Sequence, residues 1–405
     1  MLIANYNEIY ILFVKISLVC VIFRNSEIEV FLNRRVLTKN GILINGLYFD
    51  SVSYKTNLGK KKHRLLCISI ILIYRMKADL MKGCRQISFI VLSYLLSFQV
   101  AQAQLFKPSD TLLQRRVVGI TAVGLGVYGT GMFLLSKAWY KENQSKKFRF
   151  FNDGGEWLQM DKVGHVYSGY NESSMVYDMY RWAGLSEKRA MWLGLGAGMM
   201  AQTSIEILDG FSEKWGFSWG DVACNVAGMA MFGLQQSLWH EQRILLKVSS
   251  DFRSYSKLPI TAIDGVTTDN LHRRAADLYS NHLAGRLLKD YNAQTYWLSF
   301  NPASFRQNEG WWPAYINFAI GYSGENLFGG FGNNWTYMDT EFHLNTRMYP
   351  RYRQYLLSLD IDLRKIPCKS PFWKTFFRVV SIFKIPAPAI EINSLGKVKG
   401  HWLYF

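Results

Sequence analysis

The chain has 405 residues, of which 49% are apolar and 15% aromatic, and its formal net charge is +17. A composition this rich in aromatic side chains is typical of proteins in contact with lipid, and the length allows two or three domains. Residues 1–80 carry +7 and residues 81–103 carry +2, and no basic face with interleaved aromatics is evident. A nucleic-acid partner is therefore not predicted, and a mildly basic surface near anionic lipid is the simpler interpretation.

Residues 81–103 have the pattern of a secretory signal peptide. Lys82 and Arg85 precede the short apolar core Ile87–Phe98, and Ala101–Ala103 supplies small residues for cleavage. No cysteine follows the core, so a lipoprotein modification is not predicted at this segment. Because such a peptide normally begins a protein, residues 1–80 are interpreted as a mis-assigned upstream extension. The rival interpretation is a genuine N-terminal extension with an apolar anchor.

Four helices are predicted in residues 104–240. The first, Val117–Ser136, has no charge over 20 residues, which suits a membrane span. The others are Asp161–Trp182, Arg189–Leu208 and Trp219–Trp239, with small residues at spacings that favour close helix contact. The sequence therefore predicts a membrane-associated four-helix domain, and a mainly α fold.

Residues 241–405 are predicted to form a smaller α+β region with short antiparallel strands. Five stretches alternate between apolar and polar residues, most strictly in Leu357–Leu363. A polar helix is predicted at Thr267–Asp290 and a basic, aromatic one at Phe372–Phe383. The aromatic C-terminal strand ending at Phe405 is typical of outer-membrane barrels, but five strands are too few to close one.

Polar pairs interrupt three of the predicted helices. Asp161 and His165 are four residues apart and share one helical face. The other two pairs are Glu206 with Asp209 and Asp221 with Asn225. Because ionisable groups in an embedded helix are costly unless they pair or line a wet cavity, the six residues are predicted to converge in one site.

Three roles for such a site stay open. In a structural role, the carboxylates cap helices, and His165 and Asn225 form hydrogen bonds between helices. In a binding role, the cluster holds a ligand or a lipid headgroup. In a catalytic role His165 acts as the base, with Glu206 or Asp221 as its partner. A histidine beside several carboxylates can also bind a divalent metal, but no metal site is predicted, because one histidine is supplied without an HExxH or CxxC motif. No cofactor is identified.

The segments DKVGH (from Asp161), EILDG (from Glu206) and GFSWGDVACNVAG (from Gly216) resemble the YfiM-like family, uncharacterised proteins described as predicted periplasmic lipoproteins. They are also similar to VanZ-like membrane proteins. The resemblance implies a small helical membrane or envelope domain without an established activity. The positions that it singles out are Asp161, Lys162, His165, Glu206, Asp209, Asp221, Asn225 and Gly228. The lipoprotein cysteine is not found here, and residues beyond 241 lie outside the motifs.

These observations together predict an exported protein of a Gram-negative cell envelope, with membrane lipid as a partner and no identified protein partner. The first functional hypothesis is a structural or lipid-binding envelope protein. The alternative is an integral-membrane enzyme that acts on a lipid or cell-wall intermediate by histidine–carboxylate acid–base chemistry or by metal-assisted chemistry. The glycine-rich span favours the inner membrane, whereas the terminal Phe405 favours the outer one.

Overall fold

The computed structural model describes residues 42–44, 47–49, 106–140, 144–251, 253–306 and 312–405. Residues 1–89 and 90–405 belong to two separate units. In the first, strands β1 (Ile42–Ile44) and β2 (Leu47–Phe49) pair as a short antiparallel hairpin. The predicted signal peptide at 81–103, and the rest of the predicted extension at 1–80, lie outside the described residues.

The first four helices of the second unit are α1 (Gln114–Leu135), α2 (Met160–Trp182), α3 (Glu187–Gly210) and α4 (Trp219–Trp239). The last three pack together through glycines where small side chains are required. A Cβ at Gly228 would lie 2.0 Å from the carbonyl oxygen of Val166, and one at Gly194 would lie 2.4 Å from that of Ser173. Helix α2 therefore packs so closely against α3 and α4 that the backbones of the helices are in contact at these glycines.

Helix α1 differs from the other three because none of its residues is buried. Its contacts with them include two hydroxyl pairs, Thr121 with Tyr180 at 2.9 Å and Tyr128 with Ser204 at 2.6 Å, and a 3.0 Å hydrogen bond from Arg116 to the carbonyl of Trp182. Among the described residues it is the one helix long and apolar enough to cross a membrane.

The C-terminal half is built on a six-stranded antiparallel sheet with the strand order β12-β11-β10-β7-β6-β3. Its strands are β3 (Ile244–Ser250), β6 (Gln294–Phe300), β7 (Ile316–Glu325), β10 (Tyr352–Ile361), β11 (Ala387–Asn393) and β12 (Val398–Tyr404). The remaining elements are β4 (Ile260–Thr261), β5 (Thr268–Asp269), α5 (Leu271–Tyr279), α6 (Leu283–Lys289), β8 (Asn334–Tyr337), β9 (Thr340–His343) and α7 (Pro371–Val380).

The sheet curls toward closure. The ring of Tyr404 on edge strand β12 lies 5.9 Å from that of Trp297 on β6, although three strands separate them in the sheet. At the opposite edge, Val248 of β3 exchanges backbone hydrogen bonds with Ile382 and Lys384, just before β11. The β3 edge is thus partly covered, and the side chain of Tyr404 from the other edge packs over one face of the sheet, which we call the interior.

That interior combines a small apolar cluster of Trp297, Ala319, Leu356 and Ala389 with many buried polar side chains, and the opposite face is apolar. Lys247 and Asp360 form a 2.6 Å ion pair inside the sheet, and neither side chain is exposed. On the other face, register aligns Leu298, Ile320, Leu357 and Ile390 in one row across four strands, and all four are exposed. Antiparallel sheets in water usually show the reverse pattern.

Helix α2 covers part of this outer face. The rings of Tyr167 and Tyr296 lie 5.6 Å apart, and Asn171 donates a 3.1 Å hydrogen bond to the carbonyl of Leu246. The rest of the face is the outer patch, whose members are each 40–54% exposed. It consists of Leu298, Ile320, Tyr355, Leu357, Leu359, Ile390 and Ile392.

Helix α2 begins with an unusual backbone. Trp157, Leu158 and Gln159 all have positive φ, at 48°, 51° and 63°, a conformation that costs about 1–2 kcal/mol for each non-glycine residue. Residues of the C-terminal half hold the segment in place: the Trp157 amide donates to the carbonyl of Gly330 at 2.8 Å, and Arg353 donates to Gln159 at 2.6 Å.

The predicted fold class was wrong. The four helices are present, but the described residues hold seven helices and a six-stranded sheet, so the fold is an α+β mixture rather than mainly α. A four-helix membrane domain does not fit either, since only α1 passes as a candidate span among the described residues. The prediction missed strand β3, because its apolar residues do not alternate strictly. The single helix predicted at Thr267–Asp290 is broken into α5 and α6, where Ser280 adopts φ 79°.

Candidate functional site

Polar side chains from α2, α3 and α4 meet where the three helices are closest. Asp161, Lys162 and His165 come from the first two turns of α2, and Asp221 and Asn225 come from the start of α4. Glu206 reaches in from the last turns of α3 and is fully buried. The helical spacing of four residues puts both members of each α2 and α4 pair on the shared face.

Lys162 occupies the middle of the carboxylates. Its ammonium lies 2.6 Å from Asp221, 2.7 Å from Asp153 and 3.2 Å from Asp161. An ammonium has three donors, so these three acceptors satisfy it completely. Only 11% of the Lys162 side chain is exposed, so the charges interact with little screening.

His165 presents its two ring nitrogens to different partners. Nδ1 lies 3.0 Å from Oδ1 of Asn225. Nε2 faces two carboxylate oxygens, at 3.5 Å from Asp221 and 3.8 Å from Asp161, which is long for a hydrogen bond. The ring is thus oriented by α4 and aims its far nitrogen between two acids.

Glu206 is held by one oxygen only. Its Oε2 accepts a 3.3 Å hydrogen bond from the Ser218 backbone amide. Its Oε1 lies 3.8 Å from Nδ1 of His165 and has no hydrogen-bond partner among the described residues. A buried carboxylate oxygen without a partner is costly, so this atom requires an explanation.

Asp209 is not part of the central group. It lies one turn beyond Glu206 on α3, where its carboxylate accepts a 2.7 Å hydrogen bond from the Tyr140 hydroxyl. The structure therefore brings together Asp161, Lys162, His165, Glu206, Asp221 and Asn225, and places Asp209 at their edge.

The electrostatics follow from burial and from an excess of acids. Desolvation raises the pKa of Glu206 to about 7 and that of Asp209 to about 6. The pKa of Asp221 is also raised, by burial and then by the negative charge of Asp161. Burial lowers the pKa of His165, but Asp161 and Asp221 outweigh it and the net shift is upward. Burial and the surplus of acids thus raise the pKa of each of these groups above its ordinary value.

Three contributing residues escape prediction from the sequence. Asp153 is part of a turn motif, yet it accepts hydrogen bonds from Lys162 and from the Ser218 hydroxyl, the latter at 2.6 Å. Ser218 also caps α4 by accepting from the Asp221 amide. Tyr291, from the C-terminal half, donates a 2.6 Å hydrogen bond to Oδ1 of Asp161. The capping pattern Ser218–Asp221 was a usable signal, whereas nothing local pointed to Tyr291.

Residues 149–237 match the family model of predicted periplasmic lipoproteins of unknown function, DUF2279. The matched segment holds α2, α3 and most of α4, and with them every member of the central group. The description of that family as periplasmic supports an exported location in the cell envelope. It does not distinguish the inner from the outer membrane. Searches of curated proteins and of solved structures gave no match.

Proposed function

We propose that this protein is an exported envelope protein that contacts the hydrocarbon part of a membrane with the outer patch of its sheet. The observation that carries the proposal is the inverted sheet, with ion pairs inside and a row of exposed aliphatic side chains outside. A surface of this kind is typical of strands that face lipid. Placing each half-exposed aliphatic side chain in hydrocarbon would gain about 1 kcal/mol.

The composition of the sheet interior also favours contact of the outer face with lipid. Ser299 donates to Asp360 at 2.6 Å, and Asn317 donates to Ser299 at 2.9 Å, so the Lys247–Asp360 pair belongs to a hydrogen-bonded network. Such a network contributes little apolar burial, and buried ion pairs stabilise a fold weakly at best. An apolar environment outside the sheet would add to the limited stabilisation that the small apolar cluster around Trp297 provides inside it.

Two further surfaces of the protein also favour contact with a membrane. Helix α1 carries no charged residue from Val117 to Leu135, and none of its residues is buried. Helix α7 exposes Phe372, Trp373 and Phe376 on one side, while Arg378 on the other side pairs with Asp178. A helix with an aromatic face and basic residues opposite is typical of a membrane interface.

In this proposal the polar cluster joins the helices to one another and to the sheet. Tyr291, which lies just before β6, links the cluster to the C-terminal half through Asp161. The relation of the three motif segments to YfiM-like and VanZ-like proteins stays a prediction, as does a Gram-negative source.

The experiment must report on the sheet itself, because α1 alone could hold the protein on vesicles. We suggest single cysteines at Ile320, Leu357 and Ile390, in a variant of the full chain whose five cysteines are serine. Each is labelled with a fluorophore and reconstituted into phosphatidylethanolamine–phosphatidylglycerol vesicles. Ile263 and Val266, exposed apolar residues in the β4–β5 turn, provide matched control positions.

Labels on the outer patch are expected to be quenched by brominated acyl chains and protected from aqueous iodide. Labels at the control positions are expected to be quenched by iodide and not by the brominated chains. Patch labels that respond to iodide as the control labels do would contradict lipid contact. Protection from both quenchers would mean that a second copy of the chain covers the patch, which would also overturn the proposal.

A further inference from the structure

We propose that Asp161, His165 and Asp221 form a binding site for one divalent transition-metal ion, such as Zn²⁺ or Mn²⁺. This inference is independent of lipid contact. From the sequence alone a divalent metal was only a weak interpretation of this cluster, because a single histidine is supplied without a metal-binding motif.

The spacing of the donor atoms fits a shared ion. Nε2 of His165 lies 3.5 Å from Oδ1 of Asp221 and 3.8 Å from Oδ2 of Asp161, and all three lie within 4.8 Å of one another. Ligands about 2.0–2.2 Å from a tetrahedral ion are separated by roughly 3.3–3.6 Å. The two separations from Nε2, at 3.5 Å and 3.8 Å, exceed those of good hydrogen bonds and lie close to this range.

Groups around the ligands orient them, as the hydrogen-bond partners of ligands do in known metal sites. The amide oxygen of Asn225 accepts from Nδ1 of His165, which directs Nε2 toward the two acids. The Tyr291 hydroxyl binds Oδ1 of Asp161 and leaves Oδ2 facing the imidazole. Two of the three ligands are thus fixed through their other polar atom.

Charge provides a second, independent observation. Asp153, Asp161, Glu206 and Asp221 surround the site, and Lys162 is the one ammonium in contact with them among the described residues. Oε1 of Glu206 is fully buried, has no partner among those residues, and points at the His165 ring from 3.8 Å. Two additional positive charges at Nε2 would offset this uncompensated carboxylate.

Lys162 makes the inference sharply testable. Its ammonium contacts Oδ1 of Asp221 and Oδ2 of Asp161, the same two oxygens that face His165. A bound ion would share these oxygens with the ammonium and repel it toward Asp153. Lys162 is therefore a competitor built into the site, and its removal should strengthen metal binding.

The donor set selects the class of ion. One imidazole nitrogen with two carboxylate oxygens suits Zn²⁺ or Mn²⁺. Ca²⁺ and Mg²⁺ take oxygen ligands almost exclusively, so they should bind more weakly.

The test is a titration of the chelator-stripped full chain in mild detergent with Zn²⁺ and Mn²⁺, by calorimetry, with Mn²⁺ spectroscopy to detect the bound nitrogen. His165→Gln and Asp221→Asn are expected to lower the affinity at least tenfold and to remove the nitrogen signature. Lys162→Met is expected to raise the affinity, a gain that misfolding cannot produce. The control is His240→Gln, because His240 pairs with Glu187 at 2.9 Å where α4 ends and α3 begins, outside the site.

Binding of one ion that responds to His165, Asp221 and Lys162 but not to His240 would support the site. The inference is overturned if the wild-type chain binds neither ion more tightly than millimolar. It is also overturned if Lys162→Met weakens binding in a folded protein, or if His240→Gln abolishes it.

Discussion

Replacing Gly228 with alanine would test whether the polar site depends on the close approach of α4 to α2. An alanine Cβ would lie 2.0 Å from the carbonyl oxygen of Val166, whereas ordinary contact begins at 3.4 Å. Backbone atoms cannot rotate out of the way as a side chain can. The two helices would therefore have to separate locally by about 1.4 Å.

The expected change in the free energy of unfolding is the sum of two destabilising contributions and one stabilising contribution. Overpacking of this kind costs about 1–3 kcal/mol, and a contact between backbones lies at the upper end. The separation would also weaken the 3.0 Å hydrogen bond between His165 and Asn225, for about 1 kcal/mol more. Alanine gains about 1 kcal/mol over glycine inside a helix. The free energy of unfolding should therefore fall by about 3 kcal/mol.

The assay is urea unfolding of the full chain in mild detergent, with Gly196→Ala as the matched control. Gly196 lies on α3, and a Cβ added there would meet nothing within 4 Å, so alanine at this position should be neutral or stabilising by up to about 1 kcal/mol. If Gly228→Ala unfolds at the same urea concentration as Gly196→Ala, the close approach of α2 and α4 does not stabilise the fold, and the reasoning fails.

Two further predictions concern buried charges. Lys247→Met should lower the free energy of unfolding by about 3–5 kcal/mol, because it leaves Asp360 without its ion-pair partner inside the sheet. Adding Asp360→Leu should restore part of this loss. Equal stability of the single and double variants in urea unfolding would contradict this reasoning. Burial raises the pKa of Glu172 from 4.5 to about 6, so the folded state holds this proton more tightly and stability falls as pH rises from about 4.5 through 6, by about 2 kcal/mol. Glu172→Gln should therefore match the wild type in stability at pH 4 and be more stable at pH 7.5. If the difference in the free energy of unfolding between the two proteins is the same at both pH values, the raised pKa of Glu172 is refuted.

Local patterns were sufficient for the helices and for much of the candidate site. Asp161 with His165, and Asp221 with Asn225, are each separated by one helical turn, so the sequence alone places each pair on one face. That the two faces meet depends on glycines such as Gly228, whose spacing is also visible in the sequence.

The sheet and the outer members of the site were not predictable in the same way. Strand order and closure depend on contacts between distant residues, such as Trp297 with Tyr404, which no local pattern encodes. The alternation in Leu357–Leu363 shows that one face is apolar, but it does not show that this is the exposed one. Asp153 and Tyr291 reach the site from loops, where side-chain direction is set by the finished fold.

The left-handed residues at the start of α2 have a consequence for the order in which the chain folds. Trp157 and Gln159 are held by Gly330 and Arg353, which are synthesised more than 150 residues later. While the helical segment alone has emerged, nothing compensates for the cost of that backbone, and the first turn of α2 should be frayed. Asp161 and Lys162 would then reach their final positions only after β10 is in place. A fragment that ends at residue 240 should accordingly retain helices but not an assembled polar site.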